Sequence, residues 1–278
     1  MNIATATLSN SSFAFISNLV RARSAIVLEP TKTYLVESRL SPLARQHGMD
    51  SVDQLVEALQ RAGSHSLARE VVEAMTTNET SFFRDLHPFE ALKNNVLPAL
   101  IAKRSSERTL NIWSNACSSG QEIYSIAMIL RDNFPQLASW KLRLFASDLS
   151  SQILNRAREG VFNQTEVNRG LPLPLLLKYF RKEGLTWRIH EEIRKMVEFR
   201  ELNLVESWPS LPAMDVIFLR NVLIYFSPDS KKEILTKVRR AMQPDGFLFL
   251  GGAETTMNLE TSFVRTQVGK ANCYCLVS

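Results

Sequence analysis

Apolar residues recur at helical spacing through the first third of the chain and then give way to alternating strand and helix patterns. Phe13, Ile16, Leu19 and Val20 fall on one helix face, and the same period continues through 34–43, 52–59 and 67–75. Asp50-Ser51-Val52-Asp53 offers a helix start, and Gly48 and Gly63 supply stops. The segment from residue 10 to about 88 therefore reads as a small helical domain. Beyond about residue 90, strands are predicted near 110–116, 142–147, 197–202, 214–219, 246–251 and 272–277, with helices between them. That alternation predicts an α/β domain with a mostly parallel sheet covered on both faces. Between Gly160 and Arg200 the rhythm weakens around Gly170, Pro172 and Pro174, as for an insertion. Near the end, 263–267 and 272–277 read as an antiparallel pair closing the sheet edge. No internal repeat or low-complexity segment interrupts this organisation.

Length and composition narrow the class. At 278 residues, 45% apolar and 22% charged, the chain is an ordinary globular protein with room for two domains. Its net charge of +5 suggests an acidic partner, yet no Lys/Arg run with interleaved aromatics supports nucleic-acid binding. Cys117, Cys273 and Cys275 are odd in number and lack C-x-x-C spacing, which argues for a reduced, cytoplasmic protein without a disulfide framework. His47, His65, His87 and His190 lie scattered, so no metal is expected. The longest apolar runs are short and the first contains Arg220, so neither spans a bilayer. No basic segment precedes an apolar core at the N-terminus, so no signal peptide is expected.

The chemistry concentrates in three segments. Leu110-Asn-Ile-Trp-Ser-Asn-Ala-Cys-Ser-Ser-Gly-Gln-Glu122 is a strand that turns through small residues into a helix, and the following strand ends at Asp148. An acidic residue about 20–30 positions after such a turn sits where it accepts ribose hydroxyls. Tight packing alone explains the turn, and helix capping alone explains Asp148; the pairing favours a nucleoside cofactor. The pyrophosphate fingerprint G-x-G-x-x-G is absent, and Glu122 repels a phosphate while welcoming an ammonium or sulfonium. S-adenosylmethionine fits, whereas NAD does not. Met75-Thr-Thr-Asn-Glu-Thr-Ser-Phe-Phe-Arg-Asp85 groups amides, hydroxyls, two rings and Arg84; helix capping accounts for part of it and leaves Phe82-Phe83-Arg84 unexplained. Asp215-Val-Ile-Phe-Leu-Arg-Asn-Val-Leu-Ile-Tyr-Phe226 is a buried strand ending in Arg220-Asn221, where a buried ion pair is the plain alternative to a site.

These blocks, together with Ala-Ser-Asp-Leu-Ser, Ala-Arg-Glu-Gly, Phe-Arg-x-Leu-Asn-Leu and Phe-Leu-Phe-Leu-Gly in this order, resemble the CheR family of chemoreceptor glutamate methyltransferases. The resemblance implies an N-terminal helical domain with linker over 1–88, and a Rossmann-like class I S-adenosylmethionine methyltransferase domain over 89–278. A small β-subdomain is inserted at about 160–200. It implies methyl transfer from S-adenosylmethionine to glutamate carboxylates in the cytoplasmic helical region of chemoreceptors, leaving S-adenosylhomocysteine. It further implies cofactor contacts at Asn78, Thr80, Arg84, Glu122, Asp148, Asn203, Leu204, Arg220 and Asn221. Arg84 and Tyr225 are the expected catalytic residues nearest the transferred methyl.

The chain departs from the family pattern at Ile123, where a proline is common, and at Gly251-Gly252-Ala253-Glu254-Thr255, which replaces Gly-x-Ser-Glu. The second helix carries Arg39 and Arg45 but also Glu37 and Pro42, a thinner basic stripe than relatives show. The insertion is short between Phe180 and Phe199, which predicts independence from a receptor's C-terminal pentapeptide tether. Two alternatives stay open: a same-fold methyltransferase acting on another signalling protein or small acid, and a catalytically inactive cofactor-binding regulatory module.

Overall fold

The computed structural model describes residues 8–61 and 63–277. The chain packs as two compact units: one formed by the residues up to Thr77 with Tyr225–Ser230, the other by Asn78–Ile224 with the residues from Lys231 onward.

The first unit is helical, with α1 Asn10–Ser24, α2 Thr33–Gln46, α3 Val52–Leu59 and α4 His65–Met75. Ser9 and Ser51 cap α1 and α3, their hydroxyls accepting the amides of Ser12 and Gln54. The faces read from periodicity meet in one core that includes Ile16, Val20, Val36, Leu40, Leu55, Val71 and Met75. Arg39 on α2 closes this unit. Its guanidinium donates to the carbonyls of Met75 (2.7 Å) and Thr76 (3.0 Å) and to the Thr77 hydroxyl (3.0 Å). Those are acceptors that the end of α4 would otherwise leave unsatisfied. One of the two arginines read as a basic stripe is thus engaged inside the chain.

The second unit is built on a seven-stranded sheet. Its strands are β1 Thr109–Asn115, β2 Lys141–Asp148, β6 Val197–Glu201, β7 Met214–Leu219, β8 Met242–Leu250, β9 Phe263–Val268 and β10 Ala271–Leu276. The order is β6-β2-β1-β7-β8-β10-β9. The first five neighbours run parallel, β10 is antiparallel to β8, and β9 with β10 forms the expected closing pair. The order reverses direction between β1 and β7, so a crevice lies beyond the carboxyl ends of those two strands. At their opposite ends, Asp215 locks the pair: its carboxylate accepts the Asn111 amide at 2.8 Å and Arg104 Nε at 3.0 Å.

Helices α5 His87–Ala91, α6 Leu97–Lys103, α7 Gln121–Asn133 and α8 Ser151–Glu159 belong to this unit. The predicted insertion is a separate three-stranded antiparallel sheet of β3 Val161–Asn163, β4 Phe180–Glu183 and β5 Thr186–Ile189, in the order β3-β5-β4. It anchors the segment that follows Thr77. The Phe82 ring, fully buried, packs edge-on against Phe162 at 5.0 Å and Phe180 at 5.6 Å. Gly170 lies so close that a Cβ there would fall 2.1 Å from the Phe82 carbonyl oxygen, at φ +87°.

This contact separates two glycines of the insertion. Gly170→Ala should lower unfolding free energy by more than about 3 kcal/mol, since backbone must move as well as strain. Gly184→Ala, at φ +60° with open space around it, should cost only about 1 kcal/mol. Urea denaturation of both variants checks the difference.

Candidate active site

The loop from β1 into α7 turns more sharply than ordinary residues favour. Ala116 (φ 51°), Ser118 (φ 51°) and Gly120 (φ 90°) all sit in the left-handed region. Its geometry is over-determined by β2. The Cys117 amide donates to the Ser147 carbonyl (2.9 Å) and the Ser118 amide to Asp148 Oδ2 (2.8 Å). Asp148 is buried; its Oδ1 also accepts the Ser150 amide, and its carbonyl accepts the Leu202 amide from the end of β6. Asp148 thereby ties together the ends of β1, β2 and β6. Asn203 follows directly, half-buried, with its carboxamide donating to Glu206 at 3.0 Å, while Leu204 is buried.

Across the crevice, Glu122 in the first turn of α7 faces Arg220 at the end of β7. Arg220 Nη1 donates to Glu122 Oε2 at 2.8 Å, and the Ser114 hydroxyl donates to Glu122 Oε1 at 2.8 Å. Arg220 Nη2 reaches Asp85 Oδ2 at 2.6 Å and the Arg84 carbonyl at 3.0 Å. The guanidinium side chain is 2% exposed, against 12% for Glu122 and 55% for Asp85. Desolvating one such ion costs several kcal/mol, and a half-exposed carboxylate is screened too well to offset that. Glu122 is therefore the partner that makes burial of Arg220 tolerable. Nε of Arg220 is buried and has no acceptor among the described residues.

The segment 78–86 supplies the third side. The Asn78 carbonyl accepts the Ser118 hydroxyl at 2.8 Å, the Phe83 amide donates to Ser125 Oγ at 3.0 Å, and Arg84 Nη1 donates to the Glu79 carbonyl at 2.9 Å. Thr80 lies between them, half-buried. Phe83, Asp85 and Leu86 all have positive φ (48°, 63° and 30°). Three such residues within four positions store strain of a kind found at functional sites. A cavity of about 440 Å³ opens beside this segment, bordered by Asp85, Arg220, Gly251 and Glu254.

Two domain descriptions fit this arrangement. Residues 11–76 match the CheR methyltransferase all-alpha domain, and residues 78–271 match the CheR methyltransferase SAM binding domain. The chain belongs to the CheR methyltransferase family. It is 41% identical to chemotaxis protein methyltransferase 1 of Pseudomonas aeruginosa, over 95% of this chain and 97% of that one. It is 42% identical to chemotaxis protein methyltransferase Cher2 of Pseudomonas putida, over 90% and 92%, and 35% identical to a chemotaxis protein methyltransferase of Vibrio anguillarum, over 92% and 94%.

Within this CheR chain, nine of the ten residues singled out from sequence lie in the second unit: Asn78, Thr80, Arg84, Glu122, Asp148, Asn203, Leu204, Arg220 and Asn221. Tyr225 belongs to the helical unit, where its carbonyl accepts the Val27 amide at 3.0 Å. Sequence reading missed Ser114, Ser118 and Asp85 as partners of these groups, although all three stand inside the quoted motifs. It also gave Glu254 no role. The three cysteines are free thiols. Burial, with Asp148 and Glu122 nearby, pushes the Cys117 thiol well above its usual range, so it is no nucleophile at neutral pH. Among the described residues no His, Cys, Asp and Glu cluster suits a metal, and no helix is long and apolar enough to cross a membrane.

Arg220→Leu strands Glu122 as a buried charge and should lower stability by about 3 kcal/mol or more. Arg220→Leu combined with Glu122→Leu should recover much of that loss. Denaturant unfolding of the single and double variants checks the coupling.

Proposed function

We propose that this chain transfers the methyl group of S-adenosylmethionine to glutamate side-chain carboxylates in the cytoplasmic helical region of chemoreceptors. The observation that carries the proposal is the placement of two buried carboxylates on one crevice, Glu122 in the first turn of α7 and Asp148 at the end of β2, with Arg220 at the end of β7 donating to Glu122. That donor set suits the cofactor: a carboxylate for its ammonium, a second for its ribose hydroxyls, and guanidinium N–H for its carboxylate. The cofactor supplies a methyl on a sulfonium, an electrophile that needs no metal. Product release leaves S-adenosylhomocysteine.

In this reading Glu122 holds the methionine end with Arg220 and Asn221 as the floor, Asp148 holds the ribose, and Asn203 and Leu204 flank the adenine. Asn78, Thr80 and Arg84 line the pocket from the segment 78–86. Arg84 holds the acceptor carboxylate in line for attack. A glutamate carboxylate is already ionised and nucleophilic at neutral pH, so no residue has to remove a proton. Catalysis then rests on alignment and on exclusion of water around a reacting anion and cation. The division into a helical portion to about residue 88 and a methyltransferase portion beyond it, a cytoplasmic location, and action without a C-terminal pentapeptide tether belong to the same reading.

Radiolabelled methyl should pass from S-adenosylmethionine to receptor-rich membranes and be released as methanol by mild base. Arg84→Ala should abolish the label, at least 10²-fold down in kcat/KM. Base-stable label would point to N-methylation and overturn the carboxylate reading. The rate should also stay flat between about pH 6 and pH 8.5, because no catalytic base titrates there. A bell-shaped profile centred near neutrality would contradict the absence of a base.

A further inference from the structure

We infer that Glu254 is the residue that positions the Arg220-Asn221 end of β7, and through it the cofactor side of the crevice. The inference rests on the proposed role of Arg220 and Asn221. Glu254 is buried, yet among the described residues its carboxylate pairs with no cation. It accepts four backbone amides instead: Asn221 at 2.8 Å and Gly251 at 2.6 Å on Oε2, Val222 at 2.8 Å and Leu223 at 2.7 Å on Oε1. Three successive N–H groups point at one anion just where β7 stops being a strand. Without that anion they would lose their acceptor, because the sheet ladder has ended at Leu219 and the short 3-10 turn Leu223–Tyr225 is only beginning.

Two further observations fix the arrangement. Asn221 has φ +57°, a left-handed conformation that asparagine enters more readily than other non-glycine residues. Three amides held on one carboxylate fix it there. Gly251 lies against the same point: a Cβ there would fall 2.7 Å from Asn221 Nδ2, 2.7 Å from Glu254 Oε2 and 2.9 Å from the Asn221 amide. The glycine is what lets the end of β8 approach closely enough for Glu254 to reach across. The Glu254 amide in turn donates to the Gly251 carbonyl at 2.9 Å, closing a turn that presents the carboxylate.

The consequence is geometric. Arg220 precedes Asn221, and its guanidinium must meet Glu122, Asp85 and the Arg84 carbonyl at once. A backbone end that drifts by an ångström loses that three-way fit, and a displacement of that size costs rate as well as affinity. Glu254 is thus a positioning residue: its carboxylate is held by backbone amides and it acts through the loop.

The test uses the full chain with Glu254→Gln, Glu254→Asp and, as a control for stability alone, Asp215→Asn at the opposite end of β7. Titration calorimetry with S-adenosylhomocysteine and steady-state methyl transfer are the readouts. Glu254→Gln, which replaces one acceptor oxygen by a donor, should weaken product binding about tenfold and lower kcat/KM about 10²-fold. Glu254→Asp should recover part of both. Asp215→Asn should lower the melting temperature while leaving affinity and kcat/KM within about twofold. Wild-type affinity and turnover in a folded Glu254→Gln chain would overturn the inference. Should that variant not fold, hydrogen exchange on the wild type decides. Slow amides at 221–223 support the inference, and amides exchanging as an open loop overturn it. If the wild type binds product but methylates no carboxylate, the functional reading fails while the calorimetric comparison still tests Glu254.

Discussion

The buried contact between Arg220 and Glu122 is the constraint around which the second unit is organised. A guanidinium removed from water at the end of a hydrophobic strand is unfavourable unless acceptors surround it. The chain provides Glu122 from α7, and Asp85 and a carbonyl from the segment 78–86. Three parts of the sequence far apart in number must therefore arrive together for the core to form. Because the contact spans the reversal point of the sheet, meeting this folding requirement also builds a charged crevice where parallel sheets bind ligands.

The loops around that crevice are strained in a consistent way. Ala116, Ser118, Phe83, Asp85 and Asn221 all take left-handed backbone conformations without being glycine. Each of the three loops they occupy is held by a polar contact from a neighbouring element: Asp148 on the Ser118 amide, Ser125 on the Phe83 amide, Glu254 on the Asn221 amide. The carboxylates serve two ends. They satisfy amides that have left regular structure, and they leave the crevice walls rigid. A rigid crevice suits a reaction whose nucleophile needs no activation, since alignment is then the main source of rate.

Much of this was legible in the sequence. Apolar periodicity located the helices of the first unit and every strand of the large sheet, because a fully buried parallel strand such as β7 has no other way to be written. Glu122 and Asp148 stood out because their spacing from the β1 turn is dictated by the fold. Contacts between distant segments were less accessible. Glu254 was visible only as a residue in a departed motif, since nothing local says that its carboxylate faces three amides more than thirty positions earlier. Arg39 read as surface charge for a partner, whereas the end of α4 takes it up. In both cases the deciding acceptor or donor is a backbone group, and backbone groups carry no sequence signal.

The most direct measurement is a crystal structure of the full chain with S-adenosylhomocysteine. The account predicts the ligand's ammonium against Glu122, its ribose hydroxyls on Asp148, and Arg220 still joined to both Glu122 and Asp85. Ligand density away from the β1 and β7 strand ends, or a bound state in which Arg220 has released Glu122, would contradict it.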